Sequence, residues 1–108
     1  MAVEVHKDNY DEEVLKSELP VLVDFWGPQC APCLALMPAV EHLEREYAGK
    51  IKVTKLNAAA GNRMLCAKLR VLGLPSFLFY KNGAEVKRLS GDQVTQREIE
   101  AAIQEVIG

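Results

Sequence analysis

The chain has 108 residues, 49% of them hydrophobic and 26% charged, with a formal net charge of -2. This length and balance describe a single globular domain over residues 1–108 that builds its own core, rather than a disordered or membrane chain. Lys and Arg form no concentrated patch, which argues against nucleic acid as a partner, and no window approaches the roughly 18 apolar residues of a membrane span.

Val3 and Val5 alternate with Glu4 and His6, which predicts a short first strand. The first ten residues lack the basic flank and apolar run of a secretory signal and point to a cytoplasmic protein. Asn9 followed by Glu12 has the spacing of a capping box and predicts a helix to about Lys16, after which Pro20 punctuates the chain. Val21 to Trp26 is an apolar run interrupted by one carboxylate, Asp24, as in a central strand covered on both faces. Leu36, Val40, Leu43 and Tyr47 then repeat at i, i+4, i+7 and i+11, marking one face of a helix that runs from about Cys33 toward Gly49, with a kink expected at Pro38.

Ile51 to Leu56 alternates as a strand, Asn62 has the chemistry to cap a helix through about Leu69, and Ser76 to Tyr80 reads as another strand. Asn82-Gly83 is a hairpin signal, so Glu85 to Leu89 returns antiparallel. Thr95 and Glu98 form a second capping box, opening a helix whose buried face is Ile99, Ala102, Ile103, Val106 and Ile107. The order is βαβαβα followed by ββα, an α/β class with a central mixed sheet of about five strands and about four helices on its two faces.

The chemistry concentrates at Cys30-Ala31-Pro32-Cys33. Two cysteines at this spacing form either half of a zinc site or a redox pair. A four-thiolate site needs a second pair, whereas the remaining cysteine is the single Cys66, and neither His6 nor His42 has a partner at ligand spacing, so metal binding is the weaker reading. The pair falls where a buried strand gives way to a helix, and the N–H groups at a helix start favour thiolate over thiol. Cys30, the more N-terminal, is then the attacking sulfur, and Cys33, one turn on, resolves the mixed disulfide. Pro32 suits the first helical turn, where its missing N–H costs nothing. Asp24 is either buried, protonated or paired with Lys55 and able to exchange a proton with Cys33, or it is an edge acid facing water. Cys66, beside Leu65 and Ala67, reads as core filler, His6 and His42 as surface residues, and Met37 and Met64 as packed side chains.

The segment Asp24-Phe25-Trp26-Gly27-Pro28-Gln29-Cys30-Ala31-Pro32-Cys33 resembles the active-site segment of the thioredoxin family. Lys55-Leu56-Asn57, Gly73-Leu74-Pro75-Ser76, Lys81-Asn82-Gly83 and Gly91 extend the resemblance over nearly the whole chain. It implies the thioredoxin fold, a cis peptide at Pro75, and Trp26 packed against the cysteine loop. Gln29, Ala31, Gly73, Leu74 and Gly91 are then the surface that meets substrate. It also implies a monomeric carrier without cofactor that reduces protein disulfides and is recharged by a reductase of the thioredoxin-reductase type. The family usually shows Trp in place of Gln29, Gly in place of Ala31, Lys or Arg in place of Leu34, and an acid within the stretch that reads Ala58-Ala59-Ala60 here. These departures spare the dithiol and alter the surface around it. Ala-Pro between the cysteines is closer to the Gly-Pro of reducing members than to the His-containing dipeptides of oxidases, and the intact pair argues against a binding module without redox activity.

Overall fold

The computed structural model describes residues 2–108. Five strands form one mixed sheet: β1 (Val3–Glu4), β2 (Val21–Trp26), β3 (Lys52–Asn57), β4 (Ser76–Lys81) and β5 (Ala84–Ser90), in the order β1-β3-β2-β4-β5. β1 and β2 run parallel to β3, while β4 lies antiparallel to β2 and β5 to β4. The central place of β2 accounts for its composition, since a strand with neighbours on both edges and helices over both faces has no side open to water.

The helices are α1 (Ala31–Glu46), α2 (Arg63–Lys68) and α3 (Gln96–Ile107), with one further turn of π-helix over Asp11–Leu15. One face of the sheet packs Leu22, Val53, Phe77 and Phe79 against Val40 and Leu43 of α1 and Ile99, Ile103 and Val106 of α3. The other packs Val21, Val23, Phe25, Leu56 and Leu78 against Val14 of the π-turn and Cys66 of α2. Strand alternation directs successive side chains of β2 into these two cores. Asp24 shares the parity of Leu22 and so points toward the α1 side.

Four local readings are revised. The Asn9–Glu12 capping box does not form: Asn9 Oδ1 accepts from the His6 N–H at 2.7 Å, closing the turn before the π-turn, and Tyr10 takes the cap position without a side-chain bond. Asn62 stands at the cap of α2 but spends its side chain elsewhere, accepting from the Lys7 N–H and donating to the Asn57 carbonyl, each at 2.9 Å. The fourth predicted helix is thus the single π-turn. Met64 projects from α2 with 79% of its surface exposed, because the core side of that short helix is filled by Cys66.

The hairpin and the second capping box match the structure. The hairpin loop is two residues long, with Lys81 opposite Ala84 and both Asn82 (φ 54°) and Gly83 (φ 80°) in the left-handed region that such a turn requires. At α3 the box is complete, Thr95 accepting from the Glu98 N–H and Glu98 from the Thr95 N–H. A bulge between Phe79 and Tyr80 interrupts the register of β4 with the outer strand β5. No helix among the described residues is long and apolar enough to cross a membrane.

Candidate active site

Cys30 and Cys33 are joined by a disulfide, with 5.3 Å between their Cα atoms, so the structure is that of the oxidised form. β2 ends at Trp26 and the chain turns through Gly27, whose carbonyl accepts the Cys30 N–H at 3.0 Å. Cys30 is itself the cap of α1: its Sγ accepts the Cys33 N–H at 3.2 Å. Capping is ordinarily the task of a side-chain oxygen. Here a sulfur receives the N–H at the positive end of a sixteen-residue helix, the electrostatic setting that stabilises a thiolate. Cys30 is half-buried, while Cys33 is only 2% exposed. Ala31 and Pro32 fill the first two helical positions, Ala31 exposed and Pro32 half-buried.

Asp24 is 4% exposed and in register with Lys55 on β3, which discards the reading as an edge acid facing water. Burial pushes its carboxyl up to about 7, against the opposing pull of the Lys55 ammonium. Asp24 and Lys55 open on a cavity of about 400 Å³ walled by Met37, Val40, Glu44 and Arg45 of α1. Cys33, Met37 and Val40 are spaced i, i+4, i+7 and lie on one stripe of that helix. Cys33 and the α1 side chains that wall the cavity of Asp24 thus share one face of that helix.

The Leu74–Pro75 peptide is cis. Its loop is held by the Ser76 hydroxyl donating to the Gly73 carbonyl at 2.7 Å and by the Gly91 N–H donating to the Pro75 carbonyl at 3.0 Å. Leu74 projects toward the turn after β2, and a Cβ on Gly27 would lie 3.2 Å from its methyl group. Leu74 divides two grooves. One, of about 510 Å³, is lined by Gln29, Cys30, Ala58, Ala59 and Arg63 together with Leu74. The other, of about 310 Å³, is lined by Arg70, Gly73, Ser76, Arg88 and Gly91 together with Leu74.

Of the surface residues singled out from sequence, Gln29, Gly73, Leu74 and Gly91 line these grooves and Ala31 lines neither. Trp26 is half-buried at the end of β2, with its indole N–H shielded and meeting no acceptor among the described residues. Cys66 is buried, which raises its thiol above the ordinary range and leaves it outside the site. Sequence reasoning missed Arg63 and Arg70. A lone arginine at the start of a predicted helix, or in a loop, carries no signal of its own, whereas the alanine run beside Arg63 was visible as a departure.

The family model described as Thioredoxin matches residues 1–105 of this chain. Thioredoxin from Peptoclostridium acidaminophilum is 39% identical over 108 residues, which cover all of this chain and 97% of that protein. Thioredoxin from Acetoanaerobium sticklandii is 38% identical over 104 residues, 96% of this chain and 98% of its relative. The M-type chloroplastic thioredoxin of Pisum sativum is 46% identical over 79 residues, 73% of this chain and 45% of the plant protein.

Proposed function

The chain belongs to the thioredoxin family and is a thiol-disulfide oxidoreductase with a redox-active cysteine pair, and from that premise we propose the role of each residue in the exchange. In the reduced protein the Cys30 thiolate attacks one sulfur of a substrate disulfide. A bond forms between Cys30 and that sulfur, and the other substrate sulfur leaves as a thiolate. Cys33 then attacks Cys30, the second substrate thiolate departs, and the protein is left with the Cys30–Cys33 disulfide seen here. Two electrons pass to the substrate, which takes up two protons. A reductase-type donor returns them by the same exchange in reverse.

The observation that carries this assignment is the asymmetry of the pair. Cys30 Sγ lies on the helix-start N–H at a half-open surface, and Cys33 is shielded. Attack requires access and a stabilised thiolate, which favours Cys30. Resolution requires only proximity to Cys30, which favours Cys33.

Asp24 acts as the proton relay for Cys33. The buried thiol must lose its proton before it attacks, and a carboxyl pushed up to about 7 can take a proton and return it near neutral pH. Lys55 sets how far that carboxyl rises. The cis Leu74–Pro75 loop, with Gly73 and Gly91, forms the bank against which an extended substrate lies. We further propose that the protein works as a single-domain monomer in the cytoplasm, with disulfide-containing proteins as substrates. Cys33→Ser is expected to accumulate mixed disulfides with protein substrates while Cys30→Ser traps none, read on non-reducing gels. Equal trapping by both would overturn the assignment.

A further inference from the structure

The charged side chains that line the two grooves are all cationic. Neither groove beside Leu74 is lined by Asp or Glu, and Asp92, which follows Gly91 along the chain, lines neither. Three arginines do line them, but not equivalently. Arg88 is already neutralised: its guanidinium donates to both carboxylate oxygens of Glu85, at 2.6 and 2.8 Å, and to the Leu69 and Arg70 carbonyls. Arg63 and Arg70 are exposed, and neither guanidinium enters an ion pair or hydrogen bond among the described residues. One therefore stands in each groove as an unspent cation, on either side of Leu74.

The fold gives little reason for either arginine. Arg63 occupies the first position of α2, where a cation opposes the helix dipole. Arg70 adopts φ 59°, a left-handed conformation that glycine takes without cost and an arginine does not. Apolar side chains lie beside both, Ala58 and Ala59 on one side, Leu72, 91% exposed, on the other and Leu74 between, with Ser76 and Ser90 also lining the groove of Arg70. Such a trough suits an extended peptide whose reacting sulfur meets Cys30 while anionic side chains flank it. An acid from the protein among residues 58–60 would repel that peptide, and the run Ala58-Ala59-Ala60 supplies none.

Building on the exchange reaction assigned above, we propose that Arg63 and Arg70 are specificity-determining residues that select disulfides set in acidic segments of partner proteins. Leu34, where the family usually carries a cation, lines neither groove, so the positive charge at this site comes from α2 and the loop after it instead. Selection of this kind acts on encounter and docking and is sensitive to salt.

The test uses the reduced protein and a set of synthetic peptides, each carrying one cysteine in mixed disulfide with a chromophoric thiol. The cysteine is flanked on both sides by Glu, by Gln or by Lys. Rates are divided by those of dithiothreitol on the same peptide, which removes the effect of the flanking charges on the sulfurs themselves. The acidic peptide is expected to exceed the neutral one about fivefold at low ionic strength, equivalent to about 1 kcal/mol, and the advantage to shrink toward unity in about 0.5 M salt. In Arg63→Gln/Arg70→Gln the ratio is expected to fall to about one, and in Arg63→Glu/Arg70→Glu to invert in favour of the basic peptide. Equal normalised rates for acidic and neutral peptides, or an acidic preference that survives in both double variants, would overturn the proposal. So would faster reduction of glutathione disulfide than of the acidic peptide, since the trough would then be serving a compact anion. If no peptide is reduced at all, it is the exchange assignment that fails.

Discussion

At the scale of single residues, Asp24 is a carboxyl buried in an apolar strand, and its linkage to pH has a definite sign. Its carboxyl holds a proton up to about 7 in the folded protein but only up to about 3.8 in an ordinary aqueous setting. Between those values the folded chain binds the proton that the unfolded chain has released, so the stability of the wild type falls as pH rises through that window and levels off above it. A shift of about three units corresponds to roughly 4 kcal/mol at most. Asp24→Asn is therefore expected to be nearly neutral at pH 4 and more stable than wild type by a few kcal/mol at pH 8, measured by urea unfolding of the oxidised forms. The same variant is expected to slow turnover and to lose the pH dependence that the carboxyl imposes on the rate. An unchanged pH-rate profile would remove Asp24 from the mechanism. The acid was visible in the sequence as a single carboxylate in an apolar strand. The cavity that its side chain faces was not, because Met37, Glu44 and Arg45 reach it from a helix whose approach to β2 no local pattern encodes.

At the scale of elements, the turns can be tested by comparing glycines. Gly83 sits at φ 80°, and an added Cβ would lie 2.9 Å from the Leu15 carbonyl oxygen. Gly73 has neither constraint, since nothing lies within 4 Å of its Cβ position. Gly83→Ala combines backbone strain with displacement of the π-turn and is expected to cost about 2 kcal/mol, a fall of roughly 10 °C in Tm. Gly73→Ala is expected to leave Tm almost unchanged, and equal effects of the two would contradict this account. The element map was largely legible from sequence because Asn82-Gly83 and Thr95-x-x-Glu98 satisfy backbone groups a few residues away. Asn9 and Asn62 misled for the complementary reason. Each has cap chemistry at a helix start, but each was claimed by another backbone group, His6 for the first and Lys7 for the second. A contact spanning 55 residues leaves no trace in local spacing.

At the scale of the whole molecule, that Asn62 contact joins the segment after β1 to the end of β3 through one side chain that is 3% exposed. Asn62→Ala strands a donor and an acceptor together and is expected to lower unfolding free energy by about 2 kcal/mol. Asn62→Asp, which still accepts from Lys7 but cannot donate to Asn57, is expected to recover part of that loss, and denaturant unfolding of the two variants would measure the difference. The order of the strands has a consequence of another kind. The two most apolar strands, β2 and β4, are the ones that would template a neighbouring chain if their edges were open. They are enclosed between β3 and β5, and among the described residues the sheet ends at one margin in the two-residue β1 beside β3 and at the other in a bulged strand bearing Glu85, Lys87 and Arg88. The folded form thus keeps its adhesive segments out of reach of other copies of itself. Self-association through the sheet becomes a hazard of the unfolded chain, during synthesis or heating, and the concentration that the protein tolerates is set by how rarely the fold opens.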